Sequence, residues 1–121
     1  MRILFLDDES NRMEAFRSKY PQSWIVARSQ EAIASIKSEE WDLVCLDHDL
    51  ANGDNGMRVV EWIERASPPV IRVSTFIVHS RNAPYGMLMV KRLTAAGYFA
   101  QYVPFDERCW AGPEDEFRYQ R

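Results

Sequence analysis

Apolar positions along this chain fall into short continuous runs separated by stretches of helical spacing. Ile3-Leu4-Phe5-Leu6 is the first run, closed abruptly by Asp7-Asp8. Four consecutive apolar residues leave no polar face, so the segment reads as a strand buried on both sides, as in a parallel sheet. Behind it, Ser10 is placed to cap a helix in which Met13, Phe16 and Tyr20 recur at spacings of three and four, and Pro21 ends it. Trp24 to Ala27 is a second short strand, and Ser29 caps a helix with Ala32, Ile33 and Ile36 on one face. Leu43-Val44-Cys45-Leu46 is a third buried run, closed by Asp47 and followed by His48-Asp49-Leu50. Gly53-Asp54-Asn55-Gly56 is expected as a flexible turn. It leads into a helix with Met57, Val60 and Ile63 inward, broken at Ser67-Pro68-Pro69. Val70 to Val78, rich in β-branched residues, is a fourth strand ending at His79-Ser80. Asn82 caps a helix through Met87, Val90 and Leu93 that stops at Gly97, and Tyr98 to Val103 is a fifth, more exposed strand ending at Pro104.

Strands alternating with helices require crossover connections. The pattern therefore predicts an α/β fold, a doubly wound five-stranded parallel sheet of order 2-1-3-4-5. Residues 1–105 form that domain. Past Phe105 the pattern fails: residues 106–121 hold Gly112-Pro113 and many charges, with Trp110, Phe117 and Tyr119 as anchors. The fifth helix is expected to be short, irregular or missing, as a tail packed on the domain or trailing from it.

Composition narrows the function classes. With 46% hydrophobic and 27% charged residues in 121, the chain is an ordinary globular one able to bury a core. A formal charge of −3 supplies no basic field of the kind that captures nucleic acid, so no extended nucleic-acid surface is expected. Cys45 and Cys109 lie far apart, and Cys45 sits in an apolar run, so a disulfide framework is not indicated. The apolar run after Met1 is too short for a signal sequence and no stretch is long enough to span a membrane, which predicts a cytoplasmic protein without membrane contact.

In open parallel sheets ligands bind beyond the carboxyl ends of the strands where strand order reverses, here between the first and third strands. Those strands end in Asp7-Asp8 and Asp47-His48-Asp49. Carboxylates crowded at one point raise one another's pKa, and a hard divalent cation is the usual compensation, so Asp7, Asp8 and Asp47 are the expected ligands of Mg2+ or Mn2+. The chain's two histidines, His48 and His79, fall at the same edge and are candidates for general base and acid. Strand alternation lets only one of His79 and Ser80 face the pocket. Asp49, Ser80, Arg81 and Asn82 are candidate substrate-binding residues, the last three through hydroxyl, guanidinium and amide donors to phosphate. The alternative for Ser80 or Asn82 is a simple helix cap. The Gly53–Gly56 segment lacks the Lys and Ser/Thr of a phosphate loop.

Ile3 to Asp8, Leu43 to Asp47 and the strand ending at Ser80 resemble the receiver domain of two-component response regulators. The resemblance implies that Asp7, Asp8 and Asp47 hold magnesium and that Asp47 occupies the phosphoacceptor position. Receivers carry a Lys just before a Pro at the end of the fifth strand, whereas here Val103 precedes Pro104. Leu46-Asp47-His48-Asp49-Leu50, Gly56-Met57 and Val78-His79-Ser80 more closely resemble a receiver-like family proposed to process cyclic phosphates. That resemblance implies a metal-dependent phosphoesterase acting on a small substrate with a cyclic phosphate, derived from a nucleotide or an RNA end, with Asp47, His48 and His79 catalytic. The alternative is a phosphoaccepting or degenerate receiver serving signalling or interaction. Tyr98, Phe99 and Tyr102 lie on a common receiver dimer face and would permit a homodimer.

Overall fold

The computed structural model describes residues 1–66 and 71–105. The helix break at Ser67-Pro68-Pro69, the strand start at Val70, Cys109 and the irregular tail over 106–121 lie outside the described residues. The elements are β1 (Ile3–Leu6), α1 (Ser10–Lys19), β2 (Trp24–Val26), α2 (Ser29–Ser38), β3 (Trp41–Leu46), a single 3-10 turn (Ala51–Gly53), α3 (Met57–Arg65), β4 (Val73–Val78), α4 (Ala83–Ala95) and β5 (Ala100–Tyr102). Every strand pair is parallel and the sheet order is β2-β1-β3-β4-β5, as the pattern predicts. Among the described residues, no helix is long and apolar enough to cross a membrane.

Side-chain alternation divides the core into two layers. Leu4, Leu6, Val44, Leu46, Phe76 and Val78 face α2, α3 and α4, where Ala32, Ile36, Val60, Ile63, Met89 and Leu93 meet them. Ile3, Phe5, Leu43, Cys45 and Ile77 face the other way, onto Phe16 of α1 and onto Phe105. Phe5 and Phe16 stack with centroids 4.0 Å apart, and Tyr20 lies 4.9 Å from Phe16, so the predicted α1 stripe is the contact that fixes this helix. The fully buried Cys45 has its thiol pKa pushed well above the usual range by desolvation, an inert core group.

Helix starts depart from the expected caps in an informative way. Glu9, not Ser10, caps α1: its carboxylate accepts the Arg12 N–H at 2.9 Å while its own N–H donates to Asp7. Ser29 is the first helical residue of α2 rather than its cap. Its N–H and hydroxyl both donate to Asp54, at 2.8 and 2.6 Å. Asn82 is the N-cap of α4, as expected, but its side chain makes no capping hydrogen bond; its own N–H donates to Ser80 Oγ.

The segment expected to be a flexible turn is instead tied at three points. Asp54 binds Ser29, Asn55 pairs with Asp49 in an antiparallel bridge, and the Gly56 N–H donates to the His48 carbonyl at 2.7 Å. The last contact draws Gly56 so close that a Cβ there would stand 1.8 Å from the Asp47 carbonyl oxygen. Gly53 takes a positive φ of 76° with open space around it. Gly56→Ala is therefore expected to cost at least about 2–3 kcal/mol of unfolding free energy, since backbone rather than a movable side chain must give way. Gly53→Ala is expected to cost only about 1 kcal/mol, the left-handed penalty alone. Urea denaturation of the two variants measures the difference, and equal losses would refute the close-approach account.

Candidate functional site

The register of the three central strands builds the site. Leu6, Leu46 and Val78 are aligned partners, so the next residue of each strand, Asp7, Asp47 and His79, stands in one row. Backbone bonds extend the ladder one step further, from Asp47 N–H to Leu6 and from His79 N–H to Leu46. All three share the parity of Phe5, Cys45 and Ile77, and so face the α1 layer. Donor atoms of Asp7, Asp47 and His79 all lie within 4.8 Å of one another, and all three residues are buried.

Arg12, in the first turn of α1, reaches into this row. Its Nε donates to Asp7 Oδ2 at 2.8 Å and its Nη2 to Asp7 Oδ1 at 3.1 Å, with a longer 3.5 Å contact to Asp47 Oδ2. The His79 ring, 1% exposed, stacks on Phe5 at 4.5 Å and meets Phe105 edge-on. Its Nε2 donates to Asp7 Oδ2 at 3.0 Å, while its Nδ1 is buried without a hydrogen-bond partner among the described residues. With the Glu9 N–H on Oδ1, Asp7 accepts four hydrogen bonds, the full capacity of a carboxylate. Among the described residues, Asp47 accepts the His48 N–H at 2.8 Å and the long Arg12 contact and no other hydrogen bond.

That inequality divides the pair electrostatically. Burial alone would raise the Asp7 carboxyl, but the hydrogen bonds from His79 and Arg12 outweigh it and hold it well below the usual carboxylate range. Burial pushes Asp47 up to about 6; the charge on Asp7 adds to the rise, and His79, the His48 N–H and Arg12 offset it only in part. Burial thus favours the protonated form at Asp47, whereas hydrogen bonding favours the charged form at Asp7.

Alternation sends two of the other predicted residues, Asp8 and His48, to the opposite face. Asp8 shares the parity of Leu6 and lines a cavity of about 420 Å³ beside Arg28, Ser29, Asn52 and Arg58, outside the Asp7-Asp47-His79 group. The buried group of donors is thus Asp7, Asp47 and His79, with Asp8 lining the neighbouring cavity. The two histidines also separate. His48 continues the Leu46 parity, and its ring stacks on Tyr85 of α4 at 4.4 Å with planes 10° apart. Its Nδ1 donates to Asp49 Oδ1 at 2.7 Å, leaving Nε2 without a hydrogen bond among the described residues. The His48 bond is the main cause holding the Asp49 carboxyl below its ordinary value.

Of His79 and Ser80, His79 is the one in the row. Ser80 turns its hydroxyl to Asn82 and its carbonyl to the Tyr102 hydroxyl. Arg81 donates to the Phe105 carbonyl, and Asn82 donates to Asp49 Oδ2 at 3.2 Å. The polar loop is thus spent largely on holding the strand ends. Arg12 escaped the sequence reasoning. Its one legible signal is a position in the first turn of the helix directly behind an acid-ended strand. Phe99, on the predicted dimer face, is 50% exposed.

Over residues 2–95 the sequence matches a family described as the cyclic-phosphate processing receiver domain. The chain belongs to that family. No curated protein matches it. Among solved structures, it is similar to the response regulator TrrA of Thermotoga maritima in complex with Mg2+-BeF, at 21% identity and a TM-score of 0.69, covering 98% of this chain and 96% of that one. A CheY-like receiver domain of Methylobacillus flagellatus gives 17% identity and a TM-score of 0.68 over 100% and 98% of the two chains. The HemR receiver domain of Leptospira biflexa gives 22% and 0.64 over 98% and 90%. These likenesses establish the receiver fold. In this member of the family, Val103 packs partly buried against the α1-side core and its N–H continues the ladder to Val78.

The Asp47 shift has a consequence for stability. A carboxyl whose folded pKa lies above its unfolded value of 3.8 makes the native state bind more protons, so stability falls as pH rises from about 4 through about 6. Asp47→Asn keeps an oxygen to accept the His48 N–H while removing the buried charge. The variant is expected to exceed the parent by about 1–3 kcal/mol at pH 8 and to converge on it near pH 4. Denaturation at the two pH values checks this, and a gap independent of pH would contradict it.

Proposed function

We propose that the protein is a metal-dependent phosphoesterase that opens a cyclic phosphate on a small, nucleotide-derived or RNA-end substrate. The observation that carries this reading is the presence of two different groups at one sheet edge: a buried acidic row at the strand ends, and, on the opposite face of the same edge, His48 held by Asp49 and Tyr85 with its Nε2 without a hydrogen bond among the described residues. Membership of the cyclic-phosphate processing receiver family supports the substrate class.

The donor set suits a divalent cation, because the Asp7 and Asp47 carboxylates lie within 4.8 Å of one another. Asp7 and Asp47 would hold it, with His79 keeping its Nε2 proton on Asp7. Carboxylate oxygens suit Mg2+ and Mn2+ alike. Such an ion supplies Lewis-acid polarisation of a phosphoryl oxygen. Asp49 fixes His48 as the tautomer with its proton on Nδ1, and Tyr85 holds the ring plane, so Nε2 is left to accept a proton from an attacking water. The water oxygen bonds to phosphorus, the endocyclic P–O bond breaks, and the leaving alkoxide takes a proton from solvent, giving one phosphomonoester. His79, sealed between Phe5 and Phe105, acts by orienting Asp7 rather than as a partner to His48 in proton exchange.

Position favours one other reading. Asp47 ends β3 in a receiver fold, as an aspartyl phosphoacceptor would, and its free acceptor capacity leaves an oxygen available. Incubation with acetyl phosphate separates the two, since a phosphoacceptor is labelled on Asp47 and a phosphoesterase turns over instead.

Turnover of cyclic mononucleotides, followed by 31P NMR against linear mono- and diesters, is expected to require Mn2+ or Mg2+ and to stop in EDTA. His48→Ala should lower kcat by about 100-fold or more, and Asp49→Asn by a smaller factor because it loosens the tautomer only. Undiminished turnover in EDTA, or in His48→Ala, would overturn the assignment.

A further inference from the structure

Asp7 is saturated. Its four acceptor positions hold the Glu9 N–H, the His79 Nε2, and the Nε and Nη2 of Arg12. Any cation that takes Asp7 as a ligand must therefore evict one of these donors. The Glu9 N–H belongs to the backbone that starts α1, and the His79 ring is packed between two phenyl rings with no exposure of its side chain. Arg12 is the one donor able to leave. Its side chain is 19% exposed, and among the described residues its hydrogen bonds are those to the two aspartates. The 3.5 Å contact to Asp47 places the guanidinium against both carboxylates that would hold the ion.

Resting on the metal-dependent reading above, we infer that Arg12 is an internal counter-cation that competes with the divalent ion for Asp7 and Asp47. The row is neutralised by the guanidinium when metal is scarce. Metal entry requires the side chain to swing out of the pocket, which frees its donor fork at the mouth where a phosphate arrives. Two consequences are independent of catalysis: wild-type affinity for metal is lower than the donor set alone would give, and loss of Arg12 exchanges stability in chelator for affinity.

Mn2+ binding to chelator-treated protein, read as free Mn2+ by EPR, tests this on the wild type, Arg12→Ala, Arg12→Lys and Asp7→Asn. Arg12→Ala is expected to bind roughly tenfold tighter or more, because a charge-assisted bidentate bond no longer has to be broken. Arg12→Lys, which keeps the charge but loses the fork, should fall between, and serves if the alanine variant does not fold. Asp7→Asn should abolish binding. Thermal melts should show Arg12→Ala below the wild type in EDTA and regaining the loss in Mn2+. Binding that Asp7→Asn abolishes but both Arg12 variants leave unchanged or weaken would overturn the competition while sparing the metal site. Absence of Mn2+ binding in the wild type and in both Arg12 variants would overturn the metal reading and the competition together.

Discussion

Parallel register across three strands is the constraint on which the rest of this structure depends. Because Leu6, Leu46 and Val78 are direct neighbours, the residues that follow them stand side by side at the spacing of adjacent strands and share one face. A slip of one residue in β3 would carry Asp47 to the α4 face and bring His48 to the row. The apolar runs prevent that slip. They are buried on both faces between two helical layers, so any register change would exchange two fitted sets of side chains at once.

Placing two carboxylates together below the surface creates a charge problem, and the chain resolves it unequally. Asp7 receives a guanidinium, an imidazole and a backbone amide, while Asp47 receives one amide and a distant guanidinium. The result is one acid whose carboxyl is held below the usual range and one that burial pushes upward. In the proposed metal site, Asp47 would offer an oxygen first and Asp7 only after Arg12 yields.

The β3–α3 loop adds a second layer of order. Gly56 lies against the Asp47 carbonyl, Asp54 anchors the start of α2, and Asn55 pairs with Asp49, which in turn holds His48. His48 is thus oriented through a chain of contacts that begins in the backbone of the strand end itself. The glycine is needed there for closeness rather than for an unusual φ, which explains why composition alone reads the same segment as a loose turn.

Sequence by itself determined the strands, their order and the edge at which chemistry would gather, because uninterrupted apolar runs closed by acids admit few arrangements other than a doubly wound parallel sheet. It also pointed to the family through Asp47-His48-Asp49 and Val78-His79-Ser80. It did not reveal which of those residues meet. Alternation at the strand ends parts Asp8 from Asp7 and His48 from His79, a distinction invisible until the register is known. Arg12 was hidden for a related reason. A long, flexible cation on a helix reads as a solvated charge until packing of Phe16 on Phe5 fixes how that helix lies over the sheet. Local pattern decides what each segment is, whereas the meeting of side chains from distant segments depends on the packing between layers, which only the tertiary structure supplies.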